Sequence, residues 1–375
     1  MIVVIADDIT GAAEIAGVCL RYGLKTRFEI NSVSSFSDVP DVLVIATNTR
    51  SLSLKKSVVQ IRKIARTLKK YKQITLFKKI DSALRGHILE ESAALADAFG
   101  INKIGIFPAN PKAGRIIKNS VYYINNVPIN ETSFAHDPDF PATKSKVFEI
   151  LPIKNFSDKY DISVPDTENA IMLKKQLKNF NSSNSLIAGS AFTFEMFLKN
   201  NCSLVPVYND TCDSDSKNLS TKRVMICGST HENSKKFIKR QKTFQKIGID
   251  ILKLRLTENK EMFDWWLNER VLPHFEISDS LLFFINAETQ KSHAKEIEKL
   301  FSKITTYLID KQLVNELFIE GGATAYSCLT AAGITSLEPI NEFSAGVVRM
   351  KVSNCENLHI TLKPGSYRWA KKIKY

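Results

Sequence analysis

Three segments of the amino-terminal half concentrate the residue types that do acid–base and anion chemistry. In IVVIADDITGAAEIAG an apolar run ends in Asp7 and Asp8, and Thr10-Gly11 then open a helix of small residues. Open α/β sheets take ligands at the carboxyl ends of their strands. Paired carboxylates there could orient a hydroxyl or a metal, with one of them capping the helix, or both could serve only as turn and cap residues. In KKIDSALRGHILEE the residues Lys78, Lys79, Asp81, Ser82 and Arg85 fall together after the run 74–77. Arg can grip a carboxylate through two hydrogen bonds and Asp can accept a hydroxyl proton, so the cluster suits an anionic, hydroxylated ligand. A charged loop held by its own ion pairs would read the same way. Gly86 would allow a close backbone approach. In ATNTRSLS, Arg50 follows another strand end as a second anion clamp, a weak signal alone. FPANPKAGR is rich in turn formers, with Pro108 and Pro111 stiffening it and Gly114 and Arg115 offering N–H groups and a guanidinium.

The carboxyl-terminal half offers three glycine-bearing turns, each after an apolar run: Gly228-Ser229, then Gly321-Gly322 with Thr324, then Lys363 with Gly365. Such turns expose N–H groups and a helix amino terminus, which suits a phosphate or nucleotide. Neither GxxxxGK[ST] nor GxGxxG is present, so a P-loop and a dinucleotide fingerprint are both unsupported. His87 could be a pocket donor or a polar helix-start residue, His231 could face nucleotide or solvent, and His136 with Asp137 could suggest a metal but has no third ligand at a recognised spacing, so each is read as structural.

These residues must be positioned by strands and helices. Apolar runs at 2–6, 42–46, 74–77 and 104–107 show little alternation, as expected of strands buried on both faces of a parallel sheet. A second series lies at 224–226, 249–254, 281–285 and 317–319. Residues 53–70 form an amphipathic helix with Leu54, Val58, Ile61, Ala65 and Leu68 on one side and seven basic residues opposite. The polar stretch NDTCDSDSKNLSTKR separates the two series. The expectation is an α/β protein of two domains with mainly parallel sheets and an interdomain active-site cleft: residues 1–200, a linker or crossover at 201–222, and residues 223–375.

The chain has 375 residues, enough for two domains each with its own core. Its net charge of +13 raises the question of a polyanionic partner. Only 13 of the 52 basic residues are Arg, however, and Lys more often coats a solvated surface than reads bases. A basic face that could touch nucleic acid exists on helix 53–70, but there is no zinc finger, RNP-type or basic-zipper motif. The six scattered cysteines, with no CxxC, read as reduced thiols of a cytoplasmic protein. No apolar run is long enough for a signal peptide or membrane span.

In order, ADDITGAAE, ATNTRS, KKIDSALRG, FPANPKAGR, VPINETSFAHDPDFP, CGSTH, GGATA and LKPGS resemble the successive blocks of the four-carbon acid sugar kinase family, from Met1 to about Ser366. The resemblance implies an ATP-dependent kinase of threonate-, erythronate- or 3-oxotetronate-type acids, with Mg²⁺ accompanying the nucleotide. The amino-terminal domain would hold the sugar acid and the carboxyl-terminal domain the nucleotide. Carried over position by position, the substrate residues are Asp8, Arg50, Lys79, Asp81 and Ser82, to which the cluster itself adds Arg85. The nucleotide residues are Ser229, Gly321, Gly322, Thr324 and Gly365, together with position 323.

The chain departs from the family pattern in three places: Ala83 where Thr is usual, Ala323 where an acid is usual, and Ser366-Tyr367-Arg368-Trp369 in place of a glycine-rich ending. The expected mechanism has Arg50 or Arg85 on the substrate carboxylate and Lys79 on the transferred phosphoryl group. Asp81 or Asp8 would be the base, with Asp81 favoured because cations surround it. Closure of the cleft would bring the two ligands together. Two other classes fit the same sequence: a non-catalytic sensor of sugar acid and nucleotide, and a basic nucleic-acid-binding protein. Small-molecule partners with no nucleic acid or membrane are expected, and a homo-oligomer is compatible with the chain.

Overall fold

The run IVVIA is apolar throughout and four of its five residues are fully buried, which only a strand covered on both faces achieves. It is β1 (Ile2–Ala6) in a computed structural model that describes all residues except 36–37, 138–139, 181–183, 202, 208–221, 287–292, 371–372 and 374–375. The chain divides into two units, Met1–Val207 and Tyr208–Tyr375. The linker foreseen at 201–222 lies mostly outside the described residues.

In the first unit β1 leads into α1 (Ile9–Arg21), then β2 (Thr26–Ile30), β3 (Val42–Ala46), α2 (Leu54–Leu68), β4 (Thr75–Lys79), α3 (Ile88–Phe99) and β5 (Lys103–Phe107). An antiparallel excursion follows, of β6 (Arg115–Lys118), β7 (Val121–Ile124) and β8 (Val127–Pro128), then α4 (Val147–Ile150). The unit closes with β9 (Asp161–Ser163), α5 (Ala170–Leu177), β10 (Ser185–Gly189) and α6 (Ala191–Asn201). The main strands are all parallel, in the order β2-β3-β1-β4-β10-β5-β9.

Because side chains alternate across a strand, each face of this sheet has its own helices. Val3, Ile5, Leu43 and Ile45 join a core with Ile61, Ile64 and Leu68 of α2 and Leu89 and Ala93 of α3. Phe77 points the other way, 5.0 Å from the Phe194 ring of α6. Helix α2 is amphipathic as expected, and its basic residues Lys55, Lys56, Arg62, Lys63, Arg66, Lys69 and Lys70 are all exposed.

The second unit runs β11 (Arg223–Cys227), α7 (Glu232–Arg240), β12 (Gln245–Ile249), α8 (Ile251–Leu254), α9 (Lys260–Trp266), α10 (Pro273–Ile277) and β13 (Ser280–Ile285). It continues with α11 (Ala294–Asp310), β14 (Glu316–Glu320), α12 (Gly322–Ala331), β15 (Ser336–Ser344), β16 (Val347–Val352) and β17 (Cys355–Lys363). The order is β12-β13-β11-β14-β17-β16-β15, parallel up to β17 and antiparallel beyond it.

The α/β class and mainly parallel sheets agree with the sequence. The expected strand at 249–254 does not: the strand is Gln245–Ile249, and residues 251–254 are the short helix α8. Asp250 causes the break by capping that helix, its Oδ1 accepting from Lys253 N at 3.0 Å. Among the described residues no helix is long and apolar enough to cross a membrane. Cys19, Cys227, Cys328 and Cys355 are free thiols, the first three buried, while Cys202 and Cys212 lie outside the described residues.

Candidate active site

The loops that leave the carboxyl ends of β1, β3 and β4 are tied together. Thr47 donates its N–H and its hydroxyl to Ala6 O, each at 2.9 Å, and Arg50 N donates to Asp7 O at 3.2 Å. The register that aligns Ala6 with Ala46 and with Lys79 puts all three exits at one level. Sequence positions 7, 8, 50, 79 and 81 thereby become neighbours.

Arg50 is the centre. Its Nε and Nη2 grip Asp7 at 2.7 and 3.0 Å, Nη2 also lies 3.2 Å from Asp8 Oδ1, and Nη1 lies 3.7 Å from Asp81 Oδ1. Burial alone would push the Asp7 carboxyl up, but Arg50, with Lys78 and Lys79 behind it, holds it below the usual carboxylate range. Asp81 is wrapped more tightly. Arg85 binds it through Nε at 2.8 Å and Nη2 at 3.0 Å, and the N–H groups of Ala83 and Arg85 also point at Oδ2. Against the upward push of burial, Arg50 and then Arg85 hold Asp81 far below the ordinary range.

Asp8 is less encumbered. Its Oδ1 caps α1 by accepting from Gly11 N at 2.8 Å, and among the described residues Oδ2 accepts only the Thr10 hydroxyl, at 2.8 Å. Gly11 is required here by space: a Cβ would stand 2.4 Å from Asp8 Oδ1 and 2.9 Å from Lys79 Nζ. Gly86 is required by both space and conformation. Its φ is +93°, and a Cβ would come within 3.3 Å of Asp7 and of Arg50. The loop is also strained at Leu84, a buried non-glycine residue with φ of +62°.

The two lysines of β4 part company because they alternate. Lys79, 4% exposed, lies on the α1 side, where Nζ donates to Ile80 O at 3.0 Å and stands 3.6 Å from Glu14. Lys78 points to the other face and pairs with Glu91 of α3 at 2.8 Å, where the Ser57 hydroxyl of α2 also donates to Glu91 at 2.6 Å. Lys79 thus belongs to the cluster and Lys78 to its foundation.

Ser82 joins the site through its neighbours: its hydroxyl meets Arg115 Nη1 and its carbonyl accepts from the Tyr122 hydroxyl. His87 bridges loops, its Nε2 lying 2.7 Å from Leu52 O. Sequence reasoning did not foresee Glu14, Glu91 or Tyr122. Asp137, read with His136 as structural, binds Arg85 Nη1 at 3.0 Å.

In the second unit the three glycine turns also converge. Gly228 N donates to Glu320 O at 3.2 Å and Gly321 N to Lys363 O at 3.0 Å. A Cβ at Gly228 would fall 1.9 Å from Thr324 Oγ1, and one at Gly365 would fall 2.9 Å from Ser229 Oγ. Gly321, with φ of +99°, caps the amino terminus of α12, so Gly322, Ala323 and Thr324 form a first turn without an acidic side chain. Ala323 is exposed. His231 caps α7, its Nδ1 accepting from Asn233 N at 3.1 Å.

Beneath these turns lies a pair the sequence did not announce. Fully buried Lys363 stands 3.4 Å from fully buried Glu320 and donates to Pro364 O at 2.8 Å and Tyr367 O at 2.7 Å. Glu320 also accepts from Trp369 Nε1 at 2.7 Å and from the Ser234 hydroxyl. Burial lowers the Lys363 ammonium below its usual range, with Glu320 pulling the other way. Among the described residues no group of three His, Cys, Asp or Glu side chains could hold a metal ion.

A family model described as a sugar-binding N-terminal domain matches residues 2–184, and one described as a nucleotide-binding C-terminal domain matches residues 224–367. A D-threonate kinase of Bordetella bronchiseptica is 31% identical over 154 residues, covering 40% of this chain and 38% of that one. A 3-oxo-tetronate kinase of Brucella melitensis biotype 1 is 32% identical over 154 residues, covering 40% and 35%. The chain thus spans under two fifths of the length of these curated relatives. A solved structure from Salmonella typhimurium LT2 shares the fold, with a TM-score of 0.77 at 20% identity over 99% of this chain and 97% of that one. The two domain matches in sequence, with the kinase relatives, place the chain in the four-carbon acid sugar kinase family.

Proposed function

We propose that the protein is an ATP-dependent kinase that phosphorylates the terminal hydroxyl of a four-carbon sugar acid of threonate, erythronate or 3-oxotetronate type. The observation that carries this reading is the gathering of Asp7, Asp8 and Asp81 around Arg50 at the strand ends, with buried Lys79 beside them, in the part matched as sugar-binding. The glycine turns at Ser229, Gly321–Thr324 and Gly365 would take the nucleotide phosphates, in the part matched as nucleotide-binding. In this reading residues 1–200 form the sugar-acid domain, 201–222 the linker and 223–375 the nucleotide domain. Free thiols and a need for ATP fit the cytoplasm.

Phosphoryl transfer asks for positioning and charge neutralisation more than covalent chemistry. Arg50 and Arg85 are engaged by aspartates, so their part is to fix Asp7, Asp8 and Asp81 in place. Asp81, saturated with donors and held far below the usual range, is ionised but a poor proton acceptor. Asp8, whose Oδ2 accepts a single hydroxyl, is the better choice to orient the substrate hydroxyl and take its proton as the O–P bond forms. Lys79 would neutralise charge developing on the transferred group. Mg²⁺ brought with ATP would supply further neutralisation of phosphate charge.

An ATP-coupled assay against D- and L-threonate, D- and L-erythronate and 3-oxotetronates tests the reading. ATP consumption matched by a phosphorylated acid is expected. A chain that binds ATP and these acids but consumes none would be the sensor instead.

A further inference from the structure

Resting on that reading, we propose that the acid end of the substrate is read by Arg115 and Asn110 together with Ser82, not by Arg50 or Arg85. The two arginines named from sequence already face aspartates: Arg50 is bound to Asp7 and Asp8 with Nη1 3.7 Å from Asp81, and Arg85 uses one edge on Asp81 and its remaining nitrogen on Asp137. Arg115 differs. Among the described residues it makes no ion pair, its Nη1 meets the Ser82 hydroxyl, and its Nε is buried without a hydrogen-bond partner.

A second orphan stands beside it. Asn110 and Arg115 exchange both backbone hydrogen bonds, at 2.8 and 3.0 Å, across the turn that Gly114 closes. Residues directly opposite in such a pair put their side chains on the same face. Asn110 Oδ1 is likewise buried and unpartnered. Buried polar groups are nearly always satisfied, so an orphan donor and an orphan acceptor on one face point to a missing ligand.

The chemistry of the pair selects that ligand. A guanidinium edge matches a carboxylate, while an amide oxygen needs a donor such as the hydroxyl next to that carboxylate. A phosphate would fill the first requirement and set its own oxygens against the second. The site is anchored: the Ser190 hydroxyl holds Ala109 O at 2.9 Å, and the Phe134 ring lies 5.6 Å from both the Arg115 and Arg85 guanidinium carbons. Ser82 is next to Asp81, so the carboxylate would be fixed one residue from the cage that handles the other end.

The experiment compares the fastest acid of the panel with its neutral tetritol of the same stereochemistry, in wild type, Arg115→Met, Arg115→Lys and Asn110→Ala. Wild type is expected to prefer the acid by at least ~100-fold in kcat/KM, because a site built for a charged hydrogen-bonding group rejects the analogue lacking it. Arg115→Met should raise KM for the acid by ~30–100-fold, leave KM for ATP unchanged, and reduce the preference to within a few-fold. Arg115→Lys should restore part of it, and Asn110→Ala should weaken the acid by about ten-fold. Retention of the preference in Arg115→Met, or of wild-type KM for the acid in Asn110→Ala, would overturn the proposal. Calorimetric titration of the acid without nucleotide separates the two readings. Binding that depends on Arg115 with no ATP turnover leaves the subsite standing and removes the kinase; wild type that binds no acid removes the subsite.

Discussion

The two units wind their first four strands identically and set opposite kinds of residue at the strand ends. In the first, β2-β3-β1-β4 places the first strand between the third and the fourth; in the second, β12-β13-β11-β14 does the same. In both, the chain passes to the other side of its first strand between the third and fourth, the place where open sheets form their ligand crevice. At the carboxyl end of β1 stand Asp7 and Asp8, and at that of β11 stand Gly228 and Ser229. After β4 come Lys79, Asp81 and Arg85; after β14 come Gly321, Gly322 and Thr324. Winding supplies the location, and in the proposed function the side chains at the strand ends decide whether it takes a hydroxyl or a phosphate. Ion pairs follow the same division. In the first unit the Arg50 and Arg85 pairs form the proposed site itself, whereas the Glu320–Lys363 pair of the second lies under its glycine turns and shapes the 364–369 loop.

If that division holds, damage to one switch point should leave the other working. The largest effect is expected from Asp8→Asn, which keeps an acceptor for the Gly11 N–H but loses the base. Turnover should fall by ~10²–10⁴, typical of a general base, while ATP affinity measured by calorimetry stays within two-fold. A parallel loss of ATP binding would break the comparison. Next comes Arg50→Met, which strips three carboxylates of their shared cation. Removing one partner of a buried pair costs about 3–5 kcal/mol, so urea unfolding should show a loss of that order, and acid binding should disappear with it. An Arg50→Met chain of wild-type stability would mean that the aspartates do not depend on their cation.

Most of the strand ends were legible because a parallel sheet buries both faces of its strands and leaves runs such as IVVIA and VLVIA. The strands TRFEI and SLIAG escaped that test: the first carries Arg27 and Glu29, which bind each other, and the second is short and bounded by Ser and Gly. The helix at 251–254 was misread because Ile, Leu and Leu around a capping Asp look apolar in either period. Within the site, the residue types and their clustering were visible, but their allegiances were not. Nothing in KKIDSALRG says that strand alternation sends Lys78 to Glu91 and Lys79 to Glu14, or that Arg85 closes on Asp81 and Asp137. Glu320 was passed over because a lone acid after an apolar run is common. Its importance comes from Ser234, Lys363 and Trp369, all more than forty residues away.

A moderate effect should come from the glycine side. Gly228→Ala places a Cβ where Thr324 Oγ1 already stands, and overpacking of this kind costs typically ~1–3 kcal/mol. KM for ATP should rise about ten-fold or more, with KM for the acid unchanged. Thr324→Ala in the same chain should recover part of the stability lost, read by urea unfolding, by removing the nearest atom. Failure of that rescue would mean that the two turns do not touch as the comparison requires.

The smallest effect distinguishes the units by acid. Asp7 and Asp81 titrate below the ordinary carboxylate range when folded, and the unfolded chain binds their protons first, near pH ~3.9. Their contribution is therefore complete above about pH 4 and is lost as the pH falls from there toward the folded values. Asp81→Asn lowers stability at every pH, because Arg85 loses a charged partner, but it also removes one of the two titrations. Denaturant midpoints measured from pH 6 down to pH 3 should fall less steeply in Asp81→Asn than in wild type, by ~1 kcal/mol across the lowest unit. The neutral glycine turns have no such groups, so Gly228→Ala should shift the whole curve without changing its slope. Equal slopes in wild type and Asp81→Asn would show that the cations around Asp81 do not set its charge, and the contrast between a charged and an uncharged switch point would lose its electrostatic basis.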